Sequence, residues 1–431
     1  MDKNKVIILS VLGGLAALVL VFVVGFFLSR GPGEDSIYNT KAQLSLWAVS
    51  DREVSYEKAI SEFQKTYPNI SINYRRFESL EEYEETLLDS LAAGEGPDIF
   101  VIKNSDILRK ANKTFPVPES QYSLSNLRND FPEIVEQDFY FNNKIYALPA
   151  SVDTLAMIYN KSLFNEAAIV YPAKNWEEFK SQTKKLTEFN DQTGNISRAG
   201  AAIGGADNIK YSPDLLSLLM IQSGADMVSD NYGSATFSSE PGREALNFYT
   251  QFSNPNSDLY TWDSYLSQDF ESFARENNAV VFGYSNDLKD LKERNVFLEI
   301  GVAKAPQIKE NKEVAVADYF GYAVSRQTRY PTIAWDFVKV LTLDSSAIRS
   351  YLENTKRPPA LKSLIQEYKN DQELGVFAKQ ALIAESWKKP DFEKTDRIFD
   401  QMIKAVGNKG EASYRVLRNA EDEVSNLLQS L

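Results

Sequence analysis

The 431-residue chain contains no cysteine and no histidine. Without thiols there can be no disulfide, thiolate nucleophile or thiolate metal site, and compartment cannot be read from redox chemistry. Without imidazole the commonest general base near neutral pH is gone, together with every Ser-His triad and most zinc sites, so any catalysis would fall to carboxylates or lysine. Phosphate loops are missing as well: Gly94 and Gly96 have no third glycine in the required place, and no Gly-Lys-Ser/Thr occurs. The run Gly283-Tyr284-Ser285-Asn286-Asp287 has neither the final glycine nor the histidine partner of a nucleophile elbow. Residues 191–195 (DQTGN) misplace the glycine of a calcium loop, and Ala202 stands where the bidentate glutamate belongs, which leaves a plain turn. No catalytic residue, metal or cofactor is therefore expected, although sixty acidic residues leave a carboxylate-pair glycosidase open as an alternative.

The composition that remains is 43% hydrophobic and 25% charged, ordinary for a folded protein, but the length is large for one core, so two lobes are expected. A net charge of -13 repels phosphate backbones and argues against a nucleic-acid partner. Residues 6–28 (VIILSVLGGLAALVLVFVVGFFL) carry no charge. At about 1.5 Å per residue such a helix spans a hydrocarbon core of roughly 30 Å. Lys3 and Lys5 precede the run, while Glu34 and Asp35 follow Arg30, which favours the amino terminus inside. A cleaved signal peptide is the competitor. The run exceeds a usual signal core, no small-x-small site ends it, and Gly31-Pro32-Gly33 reads as a linker. The expectation is a retained single-pass anchor and linker over 1–41, with the soluble part on the extracytoplasmic side of the membrane.

From residue 43 the pattern reads strand (43–49), helix (56–66), strand (70–74), helix (80–93, stopped by Gly94 and Gly96) and strand (98–102). This alternation predicts a parallel sheet with ligand loops beyond its carboxyl ends, at 50–52 and 103–106. Pro149 ends one strand and 155–159 starts another, with Ser151 and Asp153 between them. This crossing is read as a link between lobes with Asp153 facing the gap, the alternative being one long strand with a surface carboxylate. Ser162 is a candidate cap for a short helix and Asn175 for a longer one. Helices are expected at 213–223, 243–252, 262–273 and 332–341, strands at 279–282, 302–305 and 319–324, and helical character throughout after Leu361.

Several stretches occur in a suggestive order. They are Leu44 to Trp47 with Ala59 to Phe63 and Tyr67-Pro68-Asn69-Ile70; Leu91-Ala92-Ala93-Gly94-x-Gly96-Pro97-Asp98-Ile99-Phe100; Leu148-Pro149 through Ile158-Tyr159-Asn160-Lys161-Ser162-Leu163-Phe164; Ala334-Trp335-Asp336-Phe337; and Arg357-Pro358-Pro359-Ala360. Together they resemble the extracellular solute-binding proteins of ABC importers, maltose-binding type, over nearly everything after residue 41. The resemblance implies an α/β, two-lobe periplasmic-binding-protein-like (type II) fold with multiple hinge crossings, placed near 149–154, Phe320 and Arg357, behind the N-terminal transmembrane helix. Lobe I would comprise 42–150 with a return segment 323–357, and lobe II 151–322 with C-terminal helices 358–431. It also implies a monomeric receptor that closes over a small solute, most readily a mono- or oligosaccharide, and presents it to permease subunits.

Sugars are held by carboxylates and amides paired to vicinal hydroxyls and by aromatic faces stacked on the ring. By matching position Asp51 and Arg52 resemble the charged pair such proteins place after the first strand, and Asp153 the hinge-side acid. Asn104, Tyr284, Asn286, Tyr319, Arg357 and Trp387 complete the candidate ligand set, although Tyr319 could equally be core, Arg357 could pair with a neighbouring carboxylate and Trp387 could pack a helix. Trp47 and Trp335 read as core. Ile102, Ser105 and Asp106 replace the aromatic, acidic and basic residues of the family after the third strand, which argues against a linear maltodextrin. A non-catalytic sensor or adhesion ectodomain is the remaining alternative.

Overall fold

The structure, a computed structural model, describes residues 40–309 and 311–431. The apolar run 6–28 lies outside the described residues, and among these no helix is long and apolar enough to cross a membrane.

Strands Ala42–Val49 and Ile99–Lys103 are buried along most of their length, as expected of a sheet covered on both faces, while Ile70–Phe77 alternates between exposed and covered positions as an edge strand does. The three are parallel, Ala42–Val49 in the middle, paired from Ala42 opposite Ile70 to Val49 opposite Phe77. Helix Leu80–Ala93 starts where the Ser79 side chain accepts from Glu82 N–H at 3.2 Å and stops at Gly94, whose φ of +78° suits glycine. Phe320–Ser325 then joins the sheet antiparallel to Ile99–Lys103 and also pairs with Leu148–Pro149 and Thr114–Phe115. Gly321 is required here, because a Cβ would lie 2.7 Å from the Phe139 ring.

The second sheet is small and antiparallel, with Ala156–Asn160 between Val280–Gly283 and Ile300–Lys304. Side chains alternate across it: Leu155, Met157, Val280 and Phe282 enter one apolar cluster, while Ala156, Ile158 and Val281 enter another on the opposite face. Helices Ser212–Ser223, Glu240–Thr250, Phe392–Gly407 and Ser413–Gln429 enclose the first of these clusters.

The first-sheet core takes in Leu44 to Val152, Ala317 to Ile365 and Ala378 to Ala384, and the second-sheet clusters Leu155 to Val316, Leu374 with Phe377, and Trp387 to Val424. The chain thus passes between the cores at 152–155 and at 316–317, and meets both again over 365–387, where Leu374 and Phe377 pack on the second sheet, Ala378 to Ala384 on the first core and Trp387 on the second. These passages run side by side: Ala315–Val316 pairs in parallel with Ala384–Glu385, and Thr154 bridges Ala317. The crossings expected at 149–154 and near Phe320 are present. The one expected near Arg357 is not, for Pro359 bridges Ser151 and Ala360 to Ile365 pack in the first core. The third crossing instead interrupts a tail that reads as helical, because Ala384 and Glu385 have little strand preference and are extended by their partner.

Two local expectations also change. Asn160, not Ser162, caps helix Lys161–Glu166, accepting from Leu163 N–H at 3.1 Å. Of 262–273 only Asp269–Ala274 is helical, since Trp262 is buried and donates to Asn208 Oδ1 at 2.8 Å, while Asn208 ties down the carbonyls of Asp263 and Leu266.

Trp335 is fully buried in the first core and donates to the Phe115 carbonyl at 3.1 Å. Trp335→Ala should lower the unfolding free energy by about 3–5 kcal/mol in urea titrations. A loss below about 1 kcal/mol would show that the ring is not part of a packed core.

Candidate functional site

Strand ends carry charge into the region between the lobes. Beyond Val49 the Asp51 carboxylate is buried, receiving the Tyr56 hydroxyl at 3.1 Å and the Tyr351 hydroxyl at 2.8 Å and pairing with Arg357 at 2.9 Å. Tyr74 donates to the Asp51 carbonyl. Burial works against the Arg357 cation, and Asp51 outweighs it, holding the guanidinium pKa above its ordinary value. Arg52, the next residue, is exposed.

A second carboxylate, Asp138, gathers residues distant in sequence. It accepts from Tyr319 Oη at 2.8 Å, from Asn104 Nδ2 at 3.2 Å and from Ser386 Oγ, so that it ties two of the three crossings to the first lobe. Burial pushes its carboxyl up to about 6, against the hydrogen bonds of Ser386 and Tyr319. Asp153 does the same at the first crossing. Its oxygens accept from Thr154 N–H at 2.9 Å, Ser285 N–H at 3.0 Å and Ser285 Oγ at 2.6 Å, and burial pushes it up to about 7. Asp153 was expected to face the gap; it is instead a buried strut between a crossing and the loop after Val280–Gly283, because three donors in that loop and crossing hold it inward.

Between the lobes lies a cavity of about 20 Å³ lined by Lys103, Asn104 and Ser105 from the first lobe, Asp214, Ser217, Trp387 and Lys389 from the second, and Val316, Ala317, Asp318 and Ser386 from the crossings. Lys103 pairs with Asp318 at 2.6 Å, and Lys389 pairs with Asp396 at 2.6 Å and lies 3.7 Å from Asp214. Burial opposes the Lys389 charge, but Asp396 and Asp214 prevail and keep its pKa above the usual lysine value. Tyr284 Oη donates to Asp214 at 2.9 Å, and Trp387 Nε1 to Ser217 Oγ at 3.4 Å. A larger open groove of about 640 Å³ beside Phe189 and Tyr265 lies on the second lobe and includes no first-lobe residue.

Of the nine expected residues, Asn104 and Trp387 line this cavity and Tyr284 reaches it through Asp214. Asp51 and Arg357 form their own cluster, Tyr319 and Asp153 belong to the hinge, and Arg52 and Asn286 are exposed. Sequence reasoning missed Lys103, Ser105, Asp214, Ser217, Asp318, Ser386 and Lys389 as wall residues. Lys103 closes the third strand, so its position was marked. Asp214 sits in the first turn of helix Ser212–Ser223, whose positive end favours a carboxylate, but the helix reads as core along its other faces. Nothing local marks Lys389.

A family profile described as bacterial extracellular solute-binding protein matches residues 58–376. The chain belongs to this family. Among curated relatives of this solute-binding protein, the maltotriose-binding protein of Pyrococcus abyssi is 23% identical over 326 residues, 73% of this chain and 66% of the relative. The multiple sugar-binding protein of Streptococcus mutans is 23% identical over 350 residues, 74% of this chain and 75% of the relative. The chain thus spans about two thirds to three quarters of their length. A solved cyclo/maltodextrin-binding protein complexed with maltotetraose shares the fold with a TM-score of 0.75 at 19% identity, covering 91% of this chain and 99% of that one.

In this solute-binding protein the raised carboxyls of Asp153 and Asp138 retain protons that the unfolded chain gives up near pH about 4. Their contribution to stability is complete below that value and is lost as pH rises through about 6 for Asp138 and about 7 for Asp153. Urea midpoints measured across this range should therefore show a downward term that Asp153→Asn reduces. An unchanged slope in the variant would remove Asp153 as its source.

Proposed function

We propose that the protein captures a carbohydrate between its lobes and hands it, chemically unchanged, to the permease of an ABC importer. The observation that carries this reading is the polar cavity walled by both lobes beside crossings that lie side by side, an arrangement that suits a hinge. The sugar-binding names of the relatives support the solute class. A cavity of about 20 Å³ admits little more than a water molecule, so a sugar enters only when the lobes part. A solute touching both walls then binds the closed state better, and this difference in affinity drives closure.

Asn104, Trp387 and, through Asp214, Tyr284 meet the solute. Asp51 with Arg357 stiffens the first-lobe wall, Tyr319 and Asp153 set the hinge, and Arg52 and Asn286 stand at the cleft mouth on the crossing-side ends of their sheets. The lobes divide as 42–150 against 151–316; the packing of Leu364 and Ile365 on the first core favours carrying 317–365 with lobe I and 387–431 with lobe II, in place of the return 323–357 and tail 358–431. The stretch between them, with Leu374 and Phe377 on the second sheet and Ala378 to Ala384 on the first core, belongs to the hinge. The receptor acts as a single chain. Residues 6–28 tether it to the extracytoplasmic face of the membrane, an arrangement that predicts membrane fractionation for the full chain and release into the soluble fraction when residues 1–39 are removed.

A thermal-shift screen over mono- and oligosaccharides tests the main reading. A saccharide at a hundred times its Kd should stabilise the fold by about 2.7 kcal/mol, and small-angle scattering should show compaction at the same concentration. Recovery of a cleaved product, or an identical envelope with and without a bound saccharide, would sink it.

A further inference from the structure

The charges around the interlobe cavity do not balance. Lys103 is matched by Asp318 and Lys389 by Asp396, each at 2.6 Å, but Asp214 has only the Tyr284 hydroxyl and the already paired Lys389 ammonium, at 3.7 Å. A third carboxyl thus stands beside two ammonium groups, and burial, with the carboxylates of Asp396 and Asp318, raises its pKa against the pull of Lys389 and Lys103, as befits a group short of positive partners. A second feature points into the same space. Ser105 lines the cavity, is 5% exposed, and its Oγ has no hydrogen-bond partner among the described residues. Lys389 N–H donates to the Ser105 carbonyl at 3.0 Å, which brings this hydroxyl to the foot of the charged cluster.

The stacking surface for a neutral sugar is meanwhile covered. Among the described residues Trp387 is the one aromatic on the cavity wall; it packs against Phe399, ring centroids 5.8 Å apart, and the Lys389 ammonium lies 5.6 Å from the centre of its ring. Aromatic stacking is thus given over to a cation that Asp396 and Asp214 hold in place. The chain's net charge of -13 also draws cations toward the protein and repels anions.

We propose that the solute carries an amine, as an amino sugar does, and that Asp214 receives its ammonium group while Ser105 Oγ accepts a further hydrogen bond from it. The proposal rests on the interlobe cavity being the solute site. An incoming cation brings the cluster to three charges of each sign. A neutral sugar leaves Asp214 without a cation of its own, and a uronic acid adds a further carboxylate. Because Lys103 and Ser105 come from one lobe and Asp214 and Lys389 from the other, the match is complete only when the lobes are together, so the charge itself favours closure.

Calorimetry on the full chain near neutral pH with D-glucosamine, D-glucose, D-glucuronate and spermidine tests this. Glucosamine should bind at least about tenfold more tightly than glucose, and glucuronate more weakly than either. Asp214→Asn should abolish the preference for glucosamine, with its unfolding midpoint as the control for folding, and Ser105→Ala should weaken glucosamine several-fold. Should the Asp214 variant fail to fold, salt decides with the unmodified protein: glucosamine affinity should fall as ionic strength rises and glucose affinity should not. Glucose or glucuronate binding as tightly as glucosamine would overturn the charge inference and leave the sugar reading standing. Spermidine binding without any saccharide would overturn the sugar reading and uphold the charge inference. Binding of neither amine would overturn the inference.

Discussion

A carboxylate removed from water must be met by donors or by a cation, and the region between the two lobes is built around three that are and a fourth, Asp214, that has one hydroxyl and a shared ammonium. Asp51 is met by Arg357 and two tyrosine hydroxyls, Asp138 by Tyr319, Asn104 and Ser386, Asp153 by Ser285 and Thr154, and Asp214 by Tyr284. Each set draws on segments far apart in the chain. Meeting these carboxyl groups ties strand ends, crossings and loops into one mutual arrangement.

The hinge follows from that constraint. The passages lie side by side, with Asp138 tying Tyr319 and Ser386 to the first lobe and Asp153 tying the first passage to the loop after Val280–Gly283. The two apolar cores on either side give the lobes their own integrity, so parting them costs mainly the polar contacts across the cavity. Those contacts include the Lys389 N–H on the Ser105 carbonyl at 3.0 Å, the Lys388 ammonium on the Gln137 carbonyl at 2.6 Å and the Arg109–Asp391 pair at 3.5 Å, all of which water can replace.

Much of the first lobe was legible before any coordinates. Helix 80–93 with its glycine stop and the three opening strands are set by spacing and by residues whose preferences agree. Trp335 and Trp47 lie in the core as their surroundings suggested. The candidate site was legible only in part. Strand ends identified Asp51 and the neighbourhood of Lys103, yet Asp153 turned inward because Ser285, 132 residues away, supplies its donors. Trp262 left its helical pattern for the same reason, drawn out by Asn208. The crossing at Ala384–Glu385 exists only because Ala315–Val316 is beside it.

Residue spacing alone determined the alternation of helix and strand, the need for two cores, and, through missing cysteine, histidine and phosphate loops, the chemistries closed to this chain. Those properties depend on neighbours within a few turns or on composition, and local sequence contains both. Which charges face each other across the lobes was decided by tertiary structure. Lys103, Asp214, Asp318 and Lys389 meet only after two sheets and three crossings have formed, and the energy of a buried charge depends on partners that no stretch of sequence brings together.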